Sequence, residues 1–545
     1  MITVISAFFF ASWVLWKLMN RWNRQAPLRK IAGPPSPSLL TGHMGQVYSQ
    51  QGWKFHADLA ANYGKVVKLD GILGDAHLYV SDTRALHNIL VKDQHIFEES
   101  SHFIQQNRLI FGMGLASTLG DHHKRQRKLL NPVFSSSHMR YMMPTFHRIS
   151  HQLRDVLIRM TKGCSAEVDM MDWMTRAALE IIGQGGLGYS FDSLNDKIEN
   201  SYGNAAKTLW PTINSPPIMI IGQFLPWAVK FGNAAFRRAI AEAIPEKTIR
   251  QLVNIVNIMD TTAKEVFEIK KTALNKGDEA MLAQIGEGKD IMSILLKANL
   301  AASEEDSLTE SELLAQMNVL IFAAMDTTSS ALARILHLLS EHVEVQEKLR
   351  AELTEAAAKG ALDFDSLNGL PYLDAVCRET LRLYPPVPYV NRTTRQDVVL
   401  PLGTPITGVD GTEISKITIP RNTGIIVSII AVNRDPGIWG PDVMEWKPER
   451  WLSTLPASVT DARIPGIYSN TLTFLGGGRS CIGFKFSQLE MKVILASLIP
   501  AIRFSASKKR IGWVMGGLTG PVLEGTSQPS MPLILTPVKS EQNVQ

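Results

Sequence analysis

One cysteine of this 545-residue chain lies in a segment suited to binding a metal cofactor. Cys481 belongs to residues 474–483, Phe-Leu-Gly-Gly-Gly-Arg-Ser-Cys-Ile-Gly, which run directly into a helical pattern over residues 484–498. The amides and the dipole at a helix start favour the thiolate form of a cysteine. The glycines allow the backbone to approach a large flat group, and Arg479 supplies a cation for its anionic substituents. The segment therefore predicts a loop that holds haem through a thiolate.

The alternative for a lone cysteine is a buried core residue in a tight turn. We predict that role for Cys164 and Cys377, because neither lies in a comparable group of residues. Three cysteines in a chain of this length do not form a disulfide scaffold. The sequence also lacks a phosphate-binding G-x-x-x-x-G-K-[ST], a G-x-S-x-G nucleophile motif and paired Cys/His sets at zinc spacing.

A polar interruption in an apolar helical segment is the second chemical feature. Residues 307–342 form the longest helix candidate, and Asp326 and Thr327 stand in its middle, within the polar belt 322–330. Aspartate and β-branched threonine are poor residues for a helix interior, so a buried belt of this kind needs partners. The simplest interpretation is a local distortion in which hydroxyl groups bond back to the helix backbone.

The cysteine segment resembles the haem-binding loop of the cytochrome P450 superfamily, F-x-x-G-x-R-x-C-x-G. Every fixed position of that loop is matched, by Phe474, Gly477, Arg479, Cys481 and Gly483. The resemblance extends over about residues 35–540. It implies a mainly α fold with small β-sheets around a buried haem b, in which Cys481 would be the axial ligand of the iron.

Four further motifs support the resemblance in the expected order, and the first is structural. Glu379-Thr380-Leu381-Arg382 matches the family's E-x-x-R, whose two side chains are neighbours on one helix. The family's third member of this ion network corresponds to Arg450, in Lys447–Trp451, where Trp stands for the usual Phe. Locally, the pair is also explained as an ordinary helix ion pair.

The second motif gives the polar belt a function. In the family, A-G-x-D-T forms the oxygen-activating groove, so Asp326 and Thr327 would be the acid–alcohol pair that passes protons to bound oxygen. Ala324 stands where the family usually has Gly, and its methyl group leaves less room for a bulge in the helix.

Three residues match family positions that bind the haem propionates. His123 and Arg127 correspond to the family's W-x-x-x-R helix, with His at the Trp position, and Arg392 follows the E-x-x-R helix. The alternative for the segment 122–128 is a solvated basic helix face. Seven apolar residues correspond to positions that line the substrate pocket: Phe103, Ile110, Phe111, Leu320, Ala323, Val387 and Val390.

The resemblance implies a monooxygenase that inserts one oxygen atom from O2 into a lipophilic small molecule of terpenoid, steroid or aromatic type. Electrons would come from NADPH through a separate NADPH–cytochrome reductase, with cytochrome b5 as a further candidate partner. One alternative is a family member that isomerises or dehydrates without O2, but such members often lack the Asp326-Thr327 pair. Another is a membrane-anchored haem-binding sensor without turnover, for which an oxygen groove is superfluous. A structural membrane protein with a chance motif is opposed by five matches in order.

The N-terminus predicts a membrane anchor. Residues 1–20 form an apolar segment whose basic residues follow it, the arrangement of an uncleaved signal anchor rather than of a cleaved signal peptide. A basic, Pro-rich linker is predicted at residues 21–37 and a catalytic domain at 38–545. This organisation favours a single-pass protein of the endoplasmic reticulum membrane with its catalytic domain in the cytoplasm.

The net charge and two unusual segments, 210–227 and 183–188, bear on binding partners. The net charge of +5 equals the charge of residues 1–30, which hold five basic and no acidic residues, so the body offers no basic footprint for nucleic acid. Residues 210–227 are apolar and Pro-rich, and by resemblance they form a substrate-access lid at the lipid surface. The glycine-rich 183–188 matches G-x-G-x-x-G, but a helical pattern precedes it, so we predict a helix end rather than a nucleotide site.

The elements that must position these residues are mostly helices. Helices are predicted over residues 166–183, 307–342, 371–384 and 483–499. Strands are predicted at 65–69, 77–81, 425–430 and as a C-terminal pair near 511–537. Residues 275–306 are polar and predict a surface connection.

Overall fold

A computed structural model of the chain describes residues 23–195, 200–277 and 287–538. The predicted anchor, residues 1–20, lies outside the described residues. In the described part of the chain, one helix is long and apolar enough to cross a membrane, Glu310–Glu341, and most of its apolar window is buried inside the protein. By burial it is the central helix of the fold. Part of the predicted linker belongs to the body, because Leu28 and Ile31 are buried and the Lys68 amide donates to the Ala32 carbonyl.

Helices dominate the described structure, as predicted. The α-helices are Met44–Val47, Trp53–Tyr63, Thr83–His87, Ser101–Phe111, Gly120–Leu130, Ser136–Thr161, Met170–Ile181, Ser201–Ile213, Pro216–Gly222, Leu225–Ala228, Ala234–Ala243, Lys247–Lys276, Ile291–Ala301, Glu310–Glu341, Val343–Ala358, Phe364–Asn368, Pro371–Leu383, Ile429–Asn433, Pro436–Trp439, Ala457–Asp461 and Phe484–Leu498.

The strands form small sheets at the edge of the helical body. They are β1 Val66–Asp70, β2 Ala76–Val80, β3 Phe97–Glu98, β4 Ala166–Asp169, β5 Tyr389–Thr394, β6 Val398–Thr407, β7 Glu413–Ile419, β8 Gly424–Ser428, β9 Ile502–Ala506, β10 Ile511–Val514, β11 Gly520–Leu523 and β12 Pro532–Pro537. The largest sheet has the order β1-β2-β8-β5-β3 and is antiparallel except for the β2–β8 pair. A three-stranded sheet has the order β4-β12-β9, and β6–β7 and β10–β11 are antiparallel pairs.

The central helix Glu310–Glu341 forms because its start is capped and its sides are apolar. Thr309 accepts from the Glu312 amide while the Glu312 carboxylate accepts from the Thr309 amide, a reciprocal capping box. The helix packs against Met170–Ile181 and Phe484–Leu498 within the largest cluster of buried apolar residues. It is continuous through the polar belt 322–330, so the belt does not break the helix.

The structure corrects three predictions. Residues 166–183 are not one helix, because β4 occupies Ala166–Asp169 and Asp169 then caps Met170–Ile181. Within 275–306, the apolar face of Ile291–Ala301 packs into the core, so this part is not a surface connection. Cys377 is buried as predicted, but Cys164 is exposed because it follows the left-handed residue Lys162, which turns the chain at a helix end.

The glycine-rich segment 183–188 ends a helix, as predicted. It forms wide turns that continue Met170–Ile181, and Gly188 adopts a left-handed conformation at the end. No strand leads directly into the glycines, so the geometry of a dinucleotide fingerprint is missing.

Candidate functional site

The cysteine loop, residues 474–483, is fixed by its own backbone. The Cys481 amide donates to the Phe474 carbonyl at 2.9 Å, which closes the loop just before helix Phe484–Leu498. Gly477 has a φ of +70°, and a Cβ atom there would lie 1.9 Å from the Leu90 carbonyl oxygen. Glycine is therefore required at position 477 for close packing of the loop on residues 88–92. The approach of the loop glycines to a planar group stays a prediction.

The Cys481 side chain is accessible to solvent on one side and surrounded by protein elsewhere. It is exposed by its accessible surface, yet enough protein surrounds it that burial raises the pKa of its thiol. The Gly483 amide and the Arg127 guanidinium act in the opposite direction and lower the thiol pKa, but burial outweighs them. The amide at the helix start thus favours the thiolate as predicted, but its effect is smaller than that of burial. A bound metal cation would deprotonate such a sulfur outright.

Two polar side chains brace the cysteine loop from neighbouring segments. Arg127 donates to the Gly478 carbonyl at 3.2 Å and to the Ser480 carbonyl at 2.5 Å. Gln94 accepts from the Gly478 amide at 2.7 Å. The Arg127 side chain thus binds the loop backbone in the structure, and its predicted contact with a haem propionate stays a prediction.

Four basic side chains predicted to face haem carboxylates lie in one region. His123 has its pKa lowered to about 3, first by burial and then by the charges of Arg479 and Arg127, so it is neutral near pH 7. Arg392 is buried, and its charge and that of Arg127 act on Arg479 to lower the pKa of its guanidinium, after burial. Cations gathered in this way require anions. Together with a cysteine sulfur, they fit the chemistry of haem, an iron ligand plus two carboxylates.

The Asp326 carboxyl group is buried in the central helix. Burial raises its pKa to about 7, and no described side chain donates a hydrogen bond to it. A carboxyl group with a pKa near the working pH is suited to holding and passing a proton.

Thr327 and its neighbours form an opening in the buried helix. The Thr327 hydroxyl donates to the Ala323 carbonyl at 2.7 Å, the back-bonding that the sequence suggested. Ala323 is exposed although Ile321 and Met325, on either side, are fully buried. The helix surface at Ala323 is therefore accessible to solvent, close to Asp326 and Thr327.

Glu312 ties the start of the central helix to helix Gly120–Leu130, which carries His123 and Arg127. Its carboxylate accepts from Arg125 at 2.9 Å and from Gln126 at 3.3 Å, and it also contacts His122. Burial acts to raise the Glu312 pKa, but the hydrogen bonds that it accepts outweigh burial and lower the pKa to about 2. The carboxylate is thus charged at neutral pH and links the two helices.

The buried E-x-x-R network is assembled as the sequence pattern suggested. Glu379 accepts two hydrogen bonds of 2.8 Å from Arg382, and both side chains are fully buried. Arg450 lies 3.3 Å from Glu379 and 3.1 Å from Asp442. Trp451 also donates to Glu379 at 3.0 Å, a bond that the family's usual Phe cannot make. Trp451 is thus a third side-chain donor to Glu379, beside Arg382 and Arg450, and the sequence pattern did not predict its bond.

The network reaches the cysteine loop through one side chain. Arg382 donates to the Asn433 carbonyl at 2.9 Å, and the Asn433 side chain accepts from the Leu472 amide at 2.8 Å and donates to Thr473 at 2.9 Å. Thr473 immediately precedes Phe474, the first residue of the cysteine loop. The E-x-x-R pair therefore acts on the position of Cys481 from a distance.

The predicted pocket residues do not form one cluster. Ile110, Phe111 and Leu320 belong to the main core, and the Phe111 and Phe322 rings lie 4.9 Å apart between centroids. Val387 and Val390 pack instead against a second cluster, beside the largest sheet. Phe103 is 42% exposed, near the start of helix Ser101–Phe111.

Some residues of the site could not be identified from the sequence. Trp210 belongs to the predicted lid, but its ring also contacts Phe322 in a tilted arrangement, with 6.0 Å between ring centroids. Gln94 and Glu99 contact the cysteine loop from nearly 400 residues away in the chain. A pairing over that distance has no local periodicity or motif by which it can be found.

Comparisons with known proteins agree with the geometry. The family model for cytochrome P450 matches residues 32–513. Cytochrome P450 monooxygenase 212 of Postia placenta is 49% identical over 96% of each chain. A ganoderic acid synthetase of Ganoderma lucidum is 41% identical over 98% of each chain, and a cytochrome P450 monooxygenase of Hericium erinaceus is 37% identical over 97% of this chain and 96% of its own.

Replacing Trp451 with Phe should destabilise the protein while preserving its fold, since an aromatic ring is retained but the donor to buried Glu379 and part of the indole contact area are lost. We expect a loss of about 1–3 kcal/mol in the free energy of unfolding. Urea unfolding followed by circular dichroism measures it. The control is Trp446→Phe, which removes an indole donor from the neutral hydroxyl of Thr380 and should cost less. Equal stability of Trp451→Phe and the wild type would contradict the assignment.

Proposed function

Since this chain belongs to the cytochrome P450 family and is a monooxygenase of that family, we propose that it inserts one oxygen atom from O2 into a lipophilic small molecule. The proposal is carried by the cysteine loop, which its backbone closes around Cys481, together with the buried Asp326 beside Thr327 in the central helix. Electrons would come from NADPH through a separate NADPH–cytochrome reductase, with cytochrome b5 as a second candidate donor.

The family implies a haem-iron cofactor, and we propose haem b. Cys481 would be the iron ligand, Phe474, Gly477 and Gly483 would shape the loop around it, and His123, Arg127, Arg392 and Arg479 would face the propionates. When bound, haem iron with a thiolate ligand supplies the activation and cleavage of O2. The protein supplies a fixed sulfur position, matched charges at the haem edge and control over protons.

Asp326 and Thr327 are the proposed proton-handling residues. Because burial holds the pKa of Asp326 at about 7, its carboxyl group is largely protonated below pH 7 and can give up a proton near neutral pH. The Thr327 hydroxyl donates to the Ala323 carbonyl, so its oxygen lone pairs remain free to accept a hydrogen bond. We propose that the pair delivers protons from the central helix to the accessible side at Ala323.

Replacing Asp326 with Asn should lower the rate of product formation by about 100-fold or more, the usual contribution of a positioned acid. Wild-type turnover should fall as pH rises through about 7, since the acid loses its proton there, and the variant should lose this dependence. Product formation is measured from pH 6 to pH 8. The control is Ser330→Ala. Ser330 lies in the same helix as Asp326, and its hydroxyl donates to the carbonyl of Thr519 outside that helix, so the variant should retain the wild-type rate and pH profile. An unchanged pH profile in Asp326→Asn would contradict the assignment.

The substrate class is proposed from the apolar residues at the family's pocket positions, most of which belong to or pack against two core clusters and would line the pocket together. Phe103, Ile110, Phe111, Leu320, Ala323, Val387 and Val390 are the proposed pocket residues. Phe322 joins them by its ring contacts with Phe111 and Trp210. Such a lining suits a terpenoid, steroid or aromatic skeleton, which gains free energy by leaving water. The name of the Ganoderma relative, which refers to ganoderic acid, adds support for a small-molecule substrate.

Turnover in a reconstituted system tests the function. The holoprotein, an NADPH–cytochrome reductase and a panel of lipophilic compounds are incubated under ¹⁸O2, and products are analysed by mass spectrometry. We expect NADPH-dependent products that carry one labelled oxygen atom. Products of unchanged oxidation state formed without NADPH would support an isomerase or dehydratase instead, and ligand binding without any product would support a sensor.

We also propose that the protein is anchored in the endoplasmic reticulum membrane by residues 1–20, with the catalytic domain on the cytoplasmic side. The predicted lid supports contact between that domain and lipid. Helices Pro216–Gly222 and Leu225–Ala228 expose Ile220 and Trp227, and Phe224 between the helices is exposed as well, each by about two thirds. Several large apolar side chains exposed in one short segment are typical of a membrane or partner contact.

Replacing Ile220, Phe224 and Trp227 together with Ser should weaken vesicle binding by a form of the protein that lacks residues 1–20. We expect a fall of at least about tenfold in the partition coefficient, because each apolar side chain buried in lipid contributes on the order of 1 kcal/mol or more. Sedimentation with phosphatidylcholine vesicles measures it. The control is Val399→Ser with Val409→Ser, two exposed apolar residues, one on β6 and one in the loop that joins β6 to β7. Unchanged partitioning of the triple variant would count against lipid contact by the lid.

A further inference from the structure

Glu99 is an acidic residue among the basic side chains proposed to face haem carboxylates. It follows β3 and precedes helix Ser101–Phe111, and it is 7% exposed. One carboxylate oxygen lies 3.4 Å from the Arg392 Nη2 atom and the other lies 3.3 Å from the Arg479 Nε atom. A single buried carboxylate therefore connects two arginines that come from distant parts of the chain.

The two contacts leave Glu99 incompletely bonded. Its Oε2 atom accepts no hydrogen bond from the described residues, so the interaction with Arg479 is a charge pairing without a well-directed hydrogen bond. Arg392 also donates to the Asn391 carbonyl at 2.8 Å, and Arg479 donates to the Thr118 carbonyl at 2.6 Å. These backbone bonds fix the position of each guanidinium, and Glu99 adds the charge that keeps the two cations close together.

The charge balance gives Glu99 a function. Arg127, Arg392 and Arg479 contribute three positive charges to this region, and His123 is neutral near pH 7 because its pKa is lowered to about 3. The two carboxylates of a haem would leave one positive charge uncompensated, and Glu99 supplies the third negative charge. In a poorly solvated region, one unbalanced charge has a large effect on a neighbouring redox centre.

We propose that Glu99 is a positioning residue that pairs Arg392 with Arg479 and keeps the reduction potential of the haem low. The inference rests on the proposed haem site. Reduction adds a negative charge to the cofactor, so a nearby carboxylate makes reduction less favourable and its removal makes reduction more favourable. The role requires no contact between Glu99 and substrate or oxygen.

The adjacent Glu98 offers a matched control. It carries the same charge, but its carboxylate pairs with Arg395 at 3.1 Å, outside the proposed propionate group. Glu98 still acts on Arg479 through space, after Glu99 and Arg392 in strength. Its neutralisation should therefore move the potential in the same direction by a smaller amount.

Spectroelectrochemical titration of the purified holoprotein tests the proposal. Glu99→Gln should move the ferric/ferrous midpoint potential to a more positive value, and Glu98→Gln should move it less. A midpoint equal to that of the wild type, or a shift no larger than that of Glu98→Gln, would overturn the proposal. Glu99→Asp, which keeps the charge but shortens its reach, should give an intermediate shift.

If Glu99→Gln yields no folded holoprotein, Glu99→Asp and its control Glu98→Asp decide the question. A positive shift in the first and none in the second supports the proposal, and equal midpoints contradict it. Failure of the proposed haem site is recognised separately, because the wild type itself would then lack the carbonyl spectrum of a thiolate-ligated haem. With that spectrum present and the midpoints unchanged, only the role of Glu99 fails.

Discussion

The sulfur of Cys481 is the constraint on which the site depends, because burial opposes its ionisation. Burial raises the thiol pKa, and the Gly483 amide and Arg127 offset only part of that effect. A cation bonded directly to the sulfur would offset this effect of burial and stabilise the thiolate. The cysteine loop holds the sulfur for such a cation through the backbone bond to Phe474, the bonds from Arg127 and the close packing of Gly477.

The two sides of the proposed site are built differently. On the side of Cys481, a continuous set of hydrogen bonds runs from Glu379 and Arg382 through Asn433 to the residues that precede the loop. Nearly every polar group in this set has a partner, which suits a ligand that must not move. In the central helix, Asp326 is buried without a described partner, which costs stability and leaves the carboxyl group available for proton transfer. The fold thus combines a rigid metal ligand with a reactive acid.

Local features of the sequence predicted most of the helices named in advance, whereas contacts between residues far apart in the chain could not be predicted. The capping box at Thr309 and the proline at the start of Pro371–Leu383 are short-range signals, and both helices form where they were expected. Helix Ile291–Ala301 was missed because polar residues flank it on both sides. Its burial depends on tertiary packing and on the ion pair of Lys270 with its capping residue Asp290, at 2.8 Å. The same limit applies to the hydrogen bond from Trp451 to Glu379 and to the pairing of Glu99 with two arginines, which the family motifs do not specify.

The carbon monoxide difference spectrum of the reduced, full-length protein tests the central claim most directly. The account predicts the strongly red-shifted Soret band of a thiolate-ligated haem. It also predicts that Cys481→Ser abolishes this band, while Cys164→Ser, at an exposed position, retains it. A folded wild-type protein that binds no haem, or whose ferrous carbonyl absorbs like that of an imidazole-ligated haem, would contradict the account.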